Sequence, residues 1–222
     1  MYSEWFIYPY GSVVQNIEIH CFGCMDFPHS VNSGQESENQ PNFHYGTKLN
    51  IAPGQNVTVL LVFKSDYFFA PIKILFQPYQ EIQQSFKVEN VILMIGLGIC
   101  LALSIYNFFI FASTKKFEYL NYAGSTLFYA LGWSAVFAIP EYLGFKHSDY
   151  WLMPAFLAGS LFTCLFSIQF LKLKSHLPRI AKTLLYLCFA IGFSLPFAFY
   201  NQGLGMYLAS IFTSLPSKKC QM

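Results

Sequence analysis

His20, Cys21, Cys24 and His29 place four side chains of the types that zinc accepts within one short stretch. Structural zinc sites space their ligands as two separated pairs, and this spacing is irregular. Cys21 also falls in a run with strand-like alternation, where neighbouring side chains face opposite ways. Three readings of the Cys21–Cys24 pair stay open: two unremarkable thiols, which is preferred, a disulfide in an oxidising compartment, or part of a metal site. No βαβ pattern surrounds the CxxC, so thioredoxin-like chemistry is not expected. Cys100, Cys164 and Cys188 lie inside apolar runs and read as small hydrophobic residues.

Aromatic rings supply the other available chemistry, because an exposed ring face can stack on a sugar. Tyr45, Tyr67, Phe68 and Phe69 are the ligand-binding candidates, the last three in a loop before Pro71. The competing reading packs these rings at the base of their domain, near a membrane surface. Asn56-Val57-Thr58 has the form of a glycosylation acceptor, and it reads more simply as a turn entering a strand. The sequence shows no phosphate loop, nucleophile elbow, paired catalytic carboxylates or metalloprotease motif. No catalytic residue, metal or cofactor is therefore expected, and the chain is not expected to be an enzyme.

The elements that would position these residues fall into two kinds. Charged residues make up only 11% of the chain, against roughly 25% in a typical globular domain. Beyond Glu89 the chain reads as long apolar runs broken by short charged loops. Residues 1–80 read as strands with period-two alternation: Trp5 to Tyr8, ending at Pro9; Val13 to Phe22; Asn42 to Ile51; Val57 to Phe63; and Ile72 to Phe76. Pro-Gly turns at this spacing suggest an antiparallel sandwich. Residues 23–41 read as an exposed loop. Residues 81–89 read as a short connector, helical from Glu81, which could pass a movement from the outer domain into the membrane. Met1-Tyr2-Ser3-Glu4 lacks the features of a signal peptide, so Met1 is not expected to be the natural start.

A bilayer core needs roughly 20 apolar residues in a helix. Residues 90–216 offer four candidates of sufficient length at 91–112, 119–140, 151–171 and 183–200, with a shorter fifth run at 203–216. Lys115 and Lys116 follow the first. Lys172, Lys174, Arg179 and Lys182 follow the third, while Lys146 stands as the single basic Lys or Arg between the second and third. The excess of Lys and Arg marks cytoplasmic loops, so residues 1–89 are expected outside, and the 217–222 tail inside if the fifth run spans. The four clear spans contain no Asp, Glu, Lys, Arg or His, which argues against a proton pump or transporter. Asn107 is expected to hydrogen-bond across a helix interface rather than to bind substrate. A net charge of +2 without a basic stripe sets nucleic acid aside.

The run Ala102-Leu103-Ser104-Ile105-Tyr106-Asn107-Phe108-Phe109-Ile110-Phe111 resembles the first membrane helix of the bacterial seven-transmembrane receptors with diverse intracellular signalling modules. So do the loop Lys115-Lys116-Phe117-Glu118-Tyr119-Leu120-Asn121-Tyr122 and the segment Phe170-Leu171-Lys172-Leu173-Lys174, with Pro178-Arg179 beyond it. Tyr8-Pro9-Tyr10-Gly11, Asn42-Phe43-His44-Tyr45-Gly46 and Pro53-Gly54-Gln55 resemble the latter part of that family's second type of extracellular domain, a jelly roll akin to carbohydrate-binding modules.

The resemblance implies an α+β membrane protein, a partial β jelly-roll sandwich followed by an α-helical transmembrane bundle. It implies a multi-pass protein of the bacterial inner membrane with a periplasmic sensor domain. The implied partners are the lipid bilayer and an extracellular small molecule, with carbohydrate as one class and a homodimer as a further option. Family members continue into a cyclase or kinase output domain that these residues do not show, and the chain is expected to be a fragment. The competing expectations are a membrane-anchored carbohydrate-binding protein without signalling, and a small channel or transporter component.

Overall fold

A computed structural model describes residues 4–10, 14–24, 30–34, 45–65, 71–137, 139–143, 149–201, 203 and 207. The chain forms two compact units, Met1–Met94 with Val136–Asp149, and Ile95–Ala135 with Tyr150–Met222.

The first unit contains β1 (Glu4–Tyr10), β2 (Asn16–Phe22), β3 (Val31–Ser33), β4 (Thr47–Asn50), β5 (Thr58–Lys64) and β6 (Lys73–Pro78). They pair antiparallel as two three-stranded sheets, sheet A in the order β4-β1-β6 and sheet B in the order β3-β2-β5. Side chains two apart share a face. Ile17 and Ile19 of β2, with Val59, Leu61 and Phe63 of β5, therefore point the same way. They pack with Ile7 of β1 and Leu49 of β4 in one core between the sheets.

Two strand expectations need correcting. β1 continues through Pro9 to Tyr10. A proline is excluded from a strand paired on both sides, but β4 reaches only from Glu4 to Ile7, so at Pro9 the neighbour of β1 is β6 alone. The expected exposed loop at 23–41 contains β3, whose Ser33 is buried. Three residues give too little alternation to be seen in sequence. What fixes the strand is a hydroxyl: Ser33 Oγ accepts the backbone N–H of Gly46 at 2.7 Å.

Gly46 holds φ +140, and a Cβ there would overlap the Ile7 carbonyl and crowd Tyr8 and Phe6. Only glycine combines that backbone with that approach. In the Ala52–Gln55 turn, Gln55 N–H bonds the Ala52 carbonyl at 3.1 Å. Pro53 and Gly54 (φ +81) suit the central positions of a type II turn.

Helix α1 (Tyr79–Thr114) begins directly after β6 and runs 36 residues. The connector and the first expected span are thus one helix, starting two residues before Glu81. Glu81 in its first turn complements the positive helix end. Beyond it lie α2 (Phe117–Val136), α3 (Ile139–Tyr142), α4 (Asp149–Phe170), α5 (Leu173–His176) and α6 (Pro178–Tyr200).

Among the described residues three helices are long and apolar enough to cross a membrane: Tyr79–Thr114, Tyr150–Phe170 and Pro178–Tyr200. The span expected at 119–140 is helical only to Val136 and is not among them. Its polar and small residues lower its hydropathy, and several of these are buried, including Asn121, Ser125 and Gly132. Of the shorter fifth run at 203–216, only Gly203 and Tyr207 lie within the described residues.

In the second unit α2 and α4 run antiparallel, as their contacts show. Asn121 Nδ2 donates to Gln169 Oε1 at 3.0 Å near one end, and Trp133 meets Phe156 edge-on near the other. Gly124 and Gly132 of α2 lie against the rings of Phe162 and Phe156, and Gly159 of α4 lies against Tyr129. Small residues let helices approach where lipid supplies no hydrophobic drive. Ser104 of α1 donates to the Ala123 carbonyl of α2 at 2.9 Å.

Replacing Gly46 by alanine is expected to destabilise the first unit by roughly 3 kcal/mol. Gly54→Ala has open space around its Cβ and should lose only about 1 kcal/mol for its positive φ. Thermal unfolding of the detergent-purified variants gives the order, and equal losses would contradict the packing assigned to Gly46.

Candidate functional site

Strand β1 is apolar on both faces, and this builds the site. Ile7 points into the sandwich core, while Phe6 and Tyr8 point out of the opposite face of sheet A. A sheet face carrying two large rings must be covered by something apolar. Helix α1 covers it. Tyr79, Ile82 and Phe86, at helical spacing, share a face, and Ile82 and Phe86 are buried against Phe6 and Tyr8.

The Phe86 ring meets Phe6 edge-on at 5.8 Å and Tyr8 edge-on at 5.5 Å. Tyr79 lies 5.9 Å from Phe6. Edge-to-face pairs of this kind add about 1 kcal/mol each beyond burial and favour particular orientations. Lys48, opposite Phe6 across β1 and β4, reaches Glu4 at 2.6 Å and lies 4.9 Å above the Tyr79 ring. That ion pair is substantially exposed and contributes little by itself. Its value is positional, since it ties β4, β1 and the start of α1 together. The Tyr8 hydroxyl donates to Gln77 Oε1 of β6 at 3.5 Å.

The sequence-derived site residues fare unevenly. Tyr45 is not an exposed platform. It is 8% exposed in the sandwich core, and its hydroxyl donates to the Val136 carbonyl at 3.3 Å. Its position just before Gly46 turns the ring inward. Tyr67, Phe68 and Phe69 lie outside the described residues.

Cys21 and Cys24 are joined as a disulfide, their Cα atoms 5.8 Å apart, so the preferred thiol reading does not hold. Closing so short a loop stabilises a fold by only about 2 kcal/mol. Gln55 fastens the same corner by bonding the Gly23 carbonyl and the Ala52 N–H. Among the described residues no group of three His, Cys, Asp or Glu side chains could hold a metal.

A second surface escaped the sequence reading. The outer face of sheet B carries Glu18 and His20 of β2, paired at 3.3 Å, with Lys64 of β5 3.8 Å from Glu18. Phe22 and Leu60 stand beside them, 61% and 52% exposed. The strand register sets Glu18 against Val62, His20 against Leu60 and Phe22 against Thr58. Hydrogen-bonding groups beside an exposed ring suit a hydroxyl-rich ligand. The period-two signal was visible in the Ile17-Glu18-Ile19-His20 run, but which outer residues adjoin depends on register.

Burial, then the nearby charge of Glu89, then Tyr10, push the Tyr8 phenol above its ordinary range. The folded state therefore favours the neutral phenol. That stabilisation is fully present below about pH 10 and is lost as pH rises through the raised value. Tyr8→Phe should flatten the alkaline fall in melting temperature, measured from about pH 8 to about pH 11. An unchanged fall would place the alkaline sensitivity elsewhere.

No curated protein and no solved structure matches this chain. A model of the family described as 7TM diverse intracellular signalling matches residues 89–217, more than half of the chain. The match covers the apolar part of α1 and all the helices after it, which makes the protein membrane-embedded and receptor-like: the chain belongs to the 7TM diverse intracellular signalling family.

Proposed function

We propose that this chain is the sensing and transmitting part of a bacterial inner-membrane receptor. Residues 1–89 face the periplasm, where the sandwich, read as part of a jelly roll, meets a small molecule. Carbohydrate is the favoured class. The observation that carries the reading is helix α1. Its first turns are buried against β1 through Ile82 and Phe86, and the same unbroken helix continues into an apolar segment long enough to cross a bilayer. A ligand that prefers one packing of sheet A shifts the population of helix arrangements, and a cytoplasmic output module would read the shift. The chain itself performs no catalysis in this reading.

The charge distribution supports the orientation. Lys115 and Lys116 follow α1, while Lys172, Lys174, Arg179 and Lys182 gather between α4 and α6. These basic turns mark the cytoplasmic side. In this reading α2 is taken as the second span, and its contacts with α4 from Asn121 to Trp133 support that. The outer face of sheet B offers Phe22 for stacking and Glu18, His20 and Lys64 for hydroxyl groups. Tyr67, Phe68 and Phe69 keep their sequence-based role as further stacking residues.

The test uses the protein in lipid nanodiscs with a spin label at position 85 on α1 and a panel of neutral mono- and oligosaccharides. At least one sugar should raise the melting temperature and alter the label's mobility. Phe22→Ala should weaken that sugar by roughly tenfold, the loss of one stacking contact. A sugar that binds while the label stays unchanged would instead make the chain a membrane-anchored binding protein without signalling. Binding by no sugar would remove the carbohydrate assignment.

A further inference from the structure

The pairing of α2 with α4 has a consequence at one end of the helical unit. Asn121 stands just over one turn inside α2, and Gln169 is the penultimate residue of α4. Their 3.0 Å hydrogen bond brings the turn between α1 and α2 beside the segment between α4 and α6. Six basic side chains thereby gather on one surface: Lys115, Lys116, Lys172, Lys174, Arg179 and Lys182. All six are exposed. Among the described residues none is salt-bridged to a carboxylate, and Glu118 is the single acidic residue in these two segments.

Two of the lysines occupy unusual backbone. Lys115 (φ 58) and Lys172 (φ 47) are the described non-glycine residues with positive φ, and each follows directly on, or one residue after, a helix end. Glycine is the ordinary occupant of that left-handed position. A lysine is strained there, yet both turns carry one. The positive pole of the α6 amino end adds to the same field.

We infer that this surface is a binding site for the phosphate headgroups of anionic phospholipids. Charge complementarity calls for an anion, and the surroundings choose which one. Phe117, Phe170, Leu171, Leu177 and Ile180 border the charges and are between 48% and 63% exposed. A phospholipid satisfies both features, phosphate on the lysines and acyl chain on the apolar rim. A soluble acidic protein would leave that rim in water. The site rests on the membrane reading of the helices and is independent of the sugar reading. Its place in the cytoplasmic leaflet follows from the proposed orientation.

The experiment is native mass spectrometry of the chain released from a neutral detergent, with a parallel melting-temperature titration. The added probes are phosphatidylglycerol, phosphatidylcholine, inorganic phosphate and soluble polyglutamate. Phosphatidylglycerol should bind saturably and raise the melting temperature, with no shift from phosphatidylcholine or inorganic phosphate. Lys115→Gly with Lys172→Gly suits the left-handed backbone, so this variant should fold and melt no lower than the parent without lipid. Its affinity for phosphatidylglycerol should fall by roughly thirtyfold, two charges' worth.

Equal affinity in parent and variant, non-saturable uptake, or an equal shift from inorganic phosphate would each overturn the site. Polyglutamate displacing the lipid would also overturn it and favour an acidic protein partner. Loss of lipid binding with the sugar response intact overturns this site alone. A chain that stays monodisperse without detergent or lipid overturns the membrane reading beneath it.

Discussion

Strand β1 must be buried on both faces, and most of the first unit follows from that constraint. Ile7 closes the sandwich core from sheet A, and Phe6 and Tyr8 leave an apolar surface on the other side. An exposed pair of such rings would be a standing liability for aggregation. The chain resolves it by turning from β6 straight into α1 and laying Ile82 and Phe86 across the rings. The covering element could have been any amphipathic segment. Here it is the start of the helix that carries the membrane-spanning stretch, so sheet packing and helix position share one set of contacts. Gly46 belongs to the same arrangement, because its missing Cβ lets that loop lie against the Ile7 carbonyl and the Phe6 and Tyr8 side chains.

The second unit is held by different physics. Its outer surfaces are apolar, as with Tyr106, Phe109 and Phe189, so burial from water gives the helices no reason to associate in lipid. Shape and hydrogen bonds do that work. Rings of one helix fill the spaces left by glycines of the other, and the Asn121–Gln169 and Ser104–Ala123 bonds fix the alignment. This explains why α2 is the long helix that falls short of a candidate span. The residues that lower its hydropathy are those that pack it.

The long features were legible in sequence, and the short or relational ones were not. Apolar runs and period-two strands exposed α1, α4, α6 and five of the six described strands, because each signal repeats over many residues. β3 was missed because its identity rests on one buried hydroxyl. Tyr45 was misread because aromatic type does not reveal which way a ring faces. The Cys21–Cys24 bond depended on a corner shaped by Gly23 and Gln55, distant in sequence. Phe22 and Leu60 became a surface only once the β2–β5 register was fixed. The connector was legible as helical from Glu81, but not that Ile82 and Phe86 form a buried stripe docked on β1.

Hydrogen exchange along α1, measured by mass spectrometry in nanodiscs, tests the docking of α1 on β1 most directly. If the rings of β1 hold the helix, the amides of residues 82–86 exchange as slowly as those of β1 itself, and Phe6→Ala accelerates both together. If those amides exchange like an exposed helix end and ignore Phe6→Ala, the helix is not held by sheet A, and the coupling of the sandwich to α1 is contradicted.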